Sequence, residues 1–414
     1  MSDKKNKNLR LGWRQVRFGD VVRQCKEKAD PETSGLDRYI AGDHMDTDDL
    51  RLRRWGEIGS GYLGPAFHMR FKPGQVLYGS RRTYLRKVAV ADFEGICANT
   101  TFVLEPKIPQ EFLPEFLPFV MQTEAFHAFS IKKSKGSVNP YINFSDLAGF
   151  EFALPPVDEQ IRLVELLSTA HDSADACASA LDAAKLLLRS GLVSVFAAEG
   201  CTPDRAEMSP ASIRPGWRLP SAKDISVAPI TKGATPTSAT GSLDTGIPFL
   251  KVYNLTFDGS LDFSVDPTFV TSHVHAKELA RSQVQGGDVL MNIVGPPLGK
   301  VSIVPSDFPS ANINQAIARF RIRADIPPRY FAAYLLSDWA QRWLQARSKK
   351  TSGQQNLTLE LCQTLPVPLP PDHQLEEVVS AIDALVECVR RVEKRKSAAA
   401  LMYKSVLTEV FGDV

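Results

Sequence analysis

The sequence contains no apolar run approaching the ~18–20 residues that a membrane-spanning helix needs. Its first stretch, MSDKKNKNLR, is charged and lacks the apolar segment of a secretory signal. Six cysteines (Cys25, Cys97, Cys177, Cys201, Cys362 and Cys388) are scattered without a C-x-x-C pair. That spacing argues against both a disulfide framework and a structural zinc. Together these absences predict a soluble, cytoplasmic protein. Neither sign of charge is in excess: 49 Lys and Arg stand against 47 Asp and Glu, a net of +2. Affinity for nucleic acid would therefore have to come from local clusters.

Signatures of chemistry are also missing. There is no G-x-x-x-x-G-K-[ST] phosphate loop, no G-x-S-x-G elbow and no H-E-x-x-H. Gly59, Gly61 and Gly64 in GSGYLGPAF have G-x-G-x-x-G spacing. A cofactor loop of that kind needs a buried strand before it and a helix after it. RLRRWGEI precedes it and Pro65 follows, which is the wrong context. VNPYINF, with Asn139, Pro140 and Tyr141, lacks the second proline of the Asn-Pro-Pro-Tyr of amino-methyltransferases. HVH puts His273 and His275 on one face of an expected surface strand, with no third metal ligand in sight. No catalytic residue and no metal site is predicted.

What the sequence does contain is a repeat. With 414 residues and 43% hydrophobic content it is long enough for two to four domains with real cores. LPPVDEQIRLVELL from Leu154 is echoed by LPPDHQLEEVVSAI from Leu369, and WRQVRFGDVV from Trp13 by WRLPSAKDIS from Trp217. KPGQVLYGS and QGGDVLMNI place Gly74 and Gly287 at a separation of 287 − 74 = 213. Lys87 and Lys300, and Asn99 and Asn312, share that separation. A period so long is a duplicated domain, not a solenoid.

Each copy ends in a helical run. In the first, Leu163, Leu167, Ala170, Ala174, Cys177, Leu181, Ala184 and Leu188 step by four and three, the seam of a coiled coil. The second has Leu375, Val378, Ile382, Leu385, Val389, Val392, Lys396, Ala399, Tyr403 and Val406, with Lys396 a polar residue suited to fixing register. Two such stripes in one chain are most simply buried against each other, antiparallel. Before each run lie short alternating segments broken by Gly and Pro, which predict strands. PEFLPFVMQTEAFHAFSI and PRYFAAYLLSDWAQRWLQARS each predict an amphipathic helix. The expected fold is α+β, with mostly antiparallel curved sheets and two long paired helices.

Hydrogen-bond donors gather in loops. YGSRRTYLRKV packs Arg81, Arg82, Arg86 and Lys87 around Tyr84 in an expected hairpin, and IKKSKGSVNPYIN adds Lys132, Lys133, Lys135, Asn139 and Tyr141. Lysines of this kind meet phosphates, and arginines read guanine in a bidentate way. The second copy offers Asn292 and Lys300, then Asn312, Asn314 and Gln315, then Lys349, Lys350, Gln354, Gln355 and Asn356. Their amides suit adenine. A solvated face is the ordinary fate of a single charge run. Basic loops at matching places in both copies argue instead for contact with nucleic acid.

Two divergent units, each ending in Leu-Pro-Pro, a Gln and a long helix, resemble the specificity subunit of a type I DNA restriction-modification system. GQVLYGSRRTYLRKVAVADF and GDVLMNIVGPPLGKVSIV upstream of the two joins strengthen the likeness. The second join departs from the pattern, with His373 before its Gln and one residue fewer. The resemblance implies two target recognition domains, 1–152 and 201–368, with spacer helices at 153–200 and 369–414. It implies a non-catalytic reader that directs two methyltransferase subunits, and restriction subunits, to a bipartite site on double-stranded DNA. S-adenosylmethionine and ATP would be used by those partners, with no cofactor bound by this chain. Left open are a related restriction or phage-defence system, an adenine methyltransferase in its own right, and a scaffold held together by its coiled coil without DNA.

Overall fold

The computed structural model describes residues 9–198, 201, 203, 209–236, 245–351 and 353–412. Most of MSDKKNKNLR and the boundary placed at 200 therefore lie outside the described residues. The fold is α+β and forms two compact units, Met1–Ala178 with Arg395–Val414, and Ser179–Lys394.

In the first unit one antiparallel sheet runs in the order Val22–Cys25, Thr101–Pro106, Val76–Gly79, Val88–Val90. A second runs Gly56–Glu57, Arg38–Ile40, Gly95–Ala98, Phe67–Phe71, with its two central strands parallel. The second unit repeats both orders: Thr231–Lys232, Ile317–Phe320, Val289–Asn292, Val301–Ile303, and Phe269–Val270, Ile247–Leu250, Ala311–Ile313, Gln283–Val284. Its parallel pair falls at the same place. Side chains of a strand alternate between faces. Val76 and Tyr78 accordingly enter a core shared with helices, while Leu77 enters the core between sheets. Burial on both faces explains why strands expected to alternate, such as Val76–Gly79, are apolar nearly throughout.

The registers measure the duplication. Gly74 and Gly287 both take a left-handed φ, +85° and +86°, and donate to the Ala91 and Val304 carbonyls. Up to that point the separation is 213. Residues 92–94 then match a longer 305–310, and the strands that follow, Gly95–Ala98 and Ala311–Ile313, begin 311 − 95 = 216 apart. Pairing fixes the change: Thr101 faces Gly79 and Ile317 faces Asn292. Asn99 thus corresponds to Gln315 and not, as the constant separation suggested, to Asn312.

The two long helices, Val157–Phe196 and Asp372–Phe411, have 40 residues each. In the first unit Leu163, Leu167, Ala170 and Ala174 share a core with Tyr403, Val406, Leu407 and Val410. In the second, Leu181, Ala184 and Leu188 pack with Cys388, Val389 and Val392. Early residues of one helix meet late residues of the other, so the pair is antiparallel. Lys396, expected within this seam, is exposed and does not fix register by burial.

The first join is locked by Gln160, which is fully buried. Its Oε1 accepts from Leu113 N (2.8 Å), and its Nε2 donates to the carbonyls of Glu111 and Pro155 (2.9 Å each). At the second join Gln374 contacts the adjacent His373 ring at 3.3 Å. Residue spacing explains the difference: Gln160 N reaches back four residues to Pro156 O, Gln374 N only three to Pro371 O.

Two expectations change in kind. Each amphipathic segment is two helices, Leu117–Met121 with Glu124–Lys133, and Pro328–Leu336 with Asp338–Arg347. Thr123 and Ser337 cap the second member, accepting from Phe126 N and Ala340 N, which ends one helix and starts the next. His273 and His275 lie in a helical turn and not on a strand; His275 Nδ1 sits 2.6 Å from Asn312 Oδ1.

Candidate nucleic-acid interface

In the first unit the strands Val76–Gly79 and Val88–Val90 form the expected hairpin, with a 3-10 turn at Thr83–Leu85 in its loop. Arg82 and Arg86, on either side of that turn, both take a left-handed φ of +52°. Such a conformation costs a non-glycine residue roughly 1–2 kcal/mol and persists where the surroundings enforce it. Here they do. Arg82 Nε donates to Asn139 Oδ1 at 2.9 Å, and its N–H donates to Pro140 O at 2.6 Å. Arg86 binds Asp48 at 2.7 Å and both carboxylate oxygens of Glu124 at 2.7 and 2.9 Å. Its guanidinium in turn holds the Glu124 carboxyl below the usual carboxylate range.

The second lysine-bearing loop folds back as a narrow arm. Lys135 and Tyr141 exchange two backbone hydrogen bonds, 2.8 and 2.9 Å long. The arm joins the hairpin through Ile142 N to Ser80 O at 3.0 Å and through the Arg81–Tyr141 bridge. The hairpin root is tied to the next turn by Ser80 N to Thr100 O, also 3.0 Å. The same frame recurs in the second unit. Ile293 N donates to Ala316 O at 2.8 Å and Leu357 N to Ile293 O at 2.9 Å. Val294 and Gly295 pair with Asn356 and Gln355, which pair with Lys349 and Lys350. Thus residues 292–295 and 349–356 come together as one three-stranded edge, as 79–82 and 135–141 do in the first unit.

Side chains at this edge divide into free and committed ones. Arg81, Tyr84, Lys132 and Tyr141 are exposed, and among the described residues none has a side-chain hydrogen bond. Lys133 is exposed, with Nζ 5.8 Å from the Phe129 ring. Lys135 is paired to Asp146 at 2.8 Å, which raises its pKa. Lys87 donates to the Gly42 carbonyl. In the second unit Lys349 and Gln354 are exposed, Gln355 and Asn356 half-buried. The Lys350 side chain lies outside the description. Asn314 Oδ1 accepts from Ala316 N at 3.2 Å, and exposed Gln315 accepts from Thr235 Oγ1 at 2.7 Å.

Besides Lys87, four residues expected to face DNA are committed internally. Asn292 is fully buried, donating to the Val294 and Pro297 carbonyls and accepting from Lys300 N at 2.7 Å. Asn312, also fully buried, donates to Leu279 O at 2.9 Å and Ser282 Oγ at 3.1 Å. Arg86 is spent on its two carboxylates. Lys300 lies over the Phe257 ring, 5.8 Å away, with Nζ 3.4 Å from Val252 O. Buried amides with every bond made have nothing to offer a base edge. Thr235, Asp48, Glu124 and Asp146 shape the edge, yet no pattern in the sequence marked them.

The decoy glycines lie in turns leading to the strand Phe67–Phe71, with no helix for a cofactor phosphate. Among the described residues no group of three or more His, Cys, Asp or Glu could hold a metal ion. Among the same residues no helix is long and apolar enough to cross a membrane.

Residues 11–177 match the type I restriction modification DNA specificity domain. The chain is 28% identical over 206 residues to the type I restriction enzyme EcoDI specificity subunit of Escherichia coli, covering 47% of this chain and 44% of that one. It is 30% identical over 136 residues to the EcoBI specificity subunit of the same organism, 32% and 28% of the two chains. The aligned stretches thus span less than half the length of these relatives. A chain from a structure of type I R-M complex assembly and conformational transition aligns over 98% of this chain and 100% of its own, with a TM-score of 0.59 and 21% identity. The type I S subunit from M. genitalium aligns over 99% and 98%, with a TM-score of 0.55 and 15% identity. These structural likenesses describe the fold.

Proposed function

We propose that this chain, which carries a type I restriction modification DNA specificity domain over residues 11–177, is the non-catalytic subunit that reads a bipartite DNA target. The observation that supports this best is the pair of edges, one in each unit, held by equivalent root bonds and bearing different side chains. Equivalent frames with unlike tips suit the reading of two unlike half-sites. Residues 1–152 and 201–368 are taken as the two recognition domains, with 153–200 and 369–414 as spacer helices.

In the first unit Arg81 and the outer nitrogens of Arg82 are the candidate base readers, with Tyr84 and Tyr141 beside them. Lys132, Lys133 and Lys135 are the phosphate contacts. In the second, Gln354, Gln355, Asn356, Asn314 and Gln315 supply amides, and Lys349 and Lys350 charge. Amides favour adenine and guanidinium groups guanine. Two methyltransferase subunits would dock along the long helices, whose Leu186, Leu187, Leu401 and Met402 are 67%, 53%, 69% and 49% exposed. Those partners would use S-adenosylmethionine, and restriction subunits ATP.

Methylome sequencing of cells carrying this chain with its methyltransferase tests the reading. A methylated motif of two short half-sites around an unread gap is expected, and it should disappear when this chain is deleted. Methylation that persists without the chain, or a continuous motif, would overturn the proposal. So would binding of labelled S-adenosylmethionine by the purified chain alone.

A further inference from the structure

Corrected for the three extra residues in the second unit, Asn99 and Gln315 occupy one position. Each opens a two-residue turn, Asn99-Thr100 or Gln315-Ala316, between a strand of the parallel pair and a strand of the antiparallel sheet. In both turns the first residue is exposed and the second half-buried. In both, the second residue's carbonyl accepts from the hairpin root, Ser80 N at 3.0 Å or Ile293 N at 2.8 Å. The two units therefore present an amide side chain from the same bracket, directly beside the edge that carries the hairpin and the arm.

Asn99 is held firmly at its backbone and not at all at its tip. Its N–H donates to Ala66 O at 2.8 Å, and Thr100 O accepts a second bond, from Ser80 Oγ at 2.7 Å. Among the described residues its side-chain amide has no partner. Gln315 is similar but has its carbonyl oxygen occupied by Thr235. A fixed backbone with a free donor–acceptor head suits a specific reader, because only the side-chain torsions remain to be ordered on binding. One amide can donate to N7 and accept from N6–H of an adenine at once, and no other base pair edge offers that pattern.

The geometry points to Asn99 as a specificity-determining residue that reads one adenine in the half-site of the first unit, with Gln315 as its counterpart in the second. This rests on the proposed function. It adds a residue belonging to neither basic loop.

The test uses the chain assembled with its methyltransferase and duplexes bearing the motif found by methylome sequencing. Absence of a bipartite motif sinks the proposed function and this inference with it. Given a motif, 7-deazaadenine is placed in turn at each adenine of both half-sites. Wild-type protein should lose binding at one adenine of the first half-site, and Asn99→Ala should lose about tenfold or more against unmodified duplex. On the deaza duplex the two losses should not compound. Asn99→Ser, too short to span N6 and N7, substitutes if the alanine variant does not assemble. Additive losses, or an unchanged motif with Asn99→Ala or Asn99→Ser, would overturn the assignment while leaving the proposed function standing.

Discussion

Arg82 Nε donates to Asn139 Oδ1 at 2.9 Å, so the hairpin loop and the lysine arm of the first unit are one object and not two. Arg81, next to it, has no such tie. The two arginines should behave differently. Arg81→Ala should cost about 1–3 kcal/mol against cognate duplex and little against scrambled duplex, as a base contact does. Arg82→Ala should weaken both, cognate more, because it removes a base reader as well as the link. Against scrambled duplex its effect should not add to that of Asn139→Ala, because there each removes only the same link. A double-mutant cycle in duplex titrations checks this; full additivity would mean that the link does not matter for binding.

Lys132 and Lys133 sit in the last turn of Glu124–Lys133 and project no fixed bond. As phosphate contacts they should matter equally for every sequence. Each Lys→Ala change should lower the slope of log affinity against log salt by about one, leaving preference between cognate and scrambled duplex unchanged. Titration at several salt concentrations reads it directly.

His127 is 2% exposed, and neither ring nitrogen has a hydrogen-bond partner. Burial lowers its pKa from 6.5 to about 3, so the folded chain holds the ring neutral. The unfolded chain takes up a proton near 6.5 and the folded chain does not until about 3. Stability should therefore be full above pH 6.5 and fall as pH drops toward 3, by about 1.4 kcal/mol per unit. The arms to compare are wild type and His127→Leu in urea unfolding at pH 7, 6 and 5. The leucine variant should lack this slope, and equal slopes would contradict the assignment.

Leu167 is fully buried where the first long helix meets both the sheet core and the second long helix. Leu187, on the same helix, is 53% exposed. Leu167→Ala should lose about 2–5 kcal/mol of stability, the cost of a core cavity. Leu187→Ala should stay within about 0.5 kcal/mol. Urea unfolding separates them. If Leu187→Ala leaves folding intact but weakens methyltransferase assembly, the exposed stripe is the docking face.

The sequence carried the helices openly, because a seam at steps of three and four has few other uses and both runs lack breakers. It carried the duplication as far as Lys300. Beyond that a three-residue loop difference broke the alignment, and a chance identity, Asn99 with Asn312, concealed Gln315. The broken helices were hidden because Thr123 and Ser337 are unremarkable inside an apolar run until their hydroxyls are seen to cap. The basic loops were legible as composition, but composition does not say which arginine is free. Arg81 and Arg86 look alike in YGSRRTYLRKV; only the fold places Asp48 and Glu124 beside one of them.

Each of the two edges is held by main-chain bonds: Ser80 to Thr100 and Ile142 in one unit, Ile293 to Ala316 and Leu357 in the other. An amide and a carbonyl do not depend on which side chain follows them. Serine in one unit and isoleucine in the other fill the same bracket without altering it. Drift at the unbonded tips, such as Arg81, Tyr84 and Tyr141, is therefore nearly free of structural penalty, and a change in one unit need not disturb the other. Under the proposed function, a lineage carrying this chain could rewrite half of its address at a time, keeping the unaltered half in register with whatever partners already depend on it.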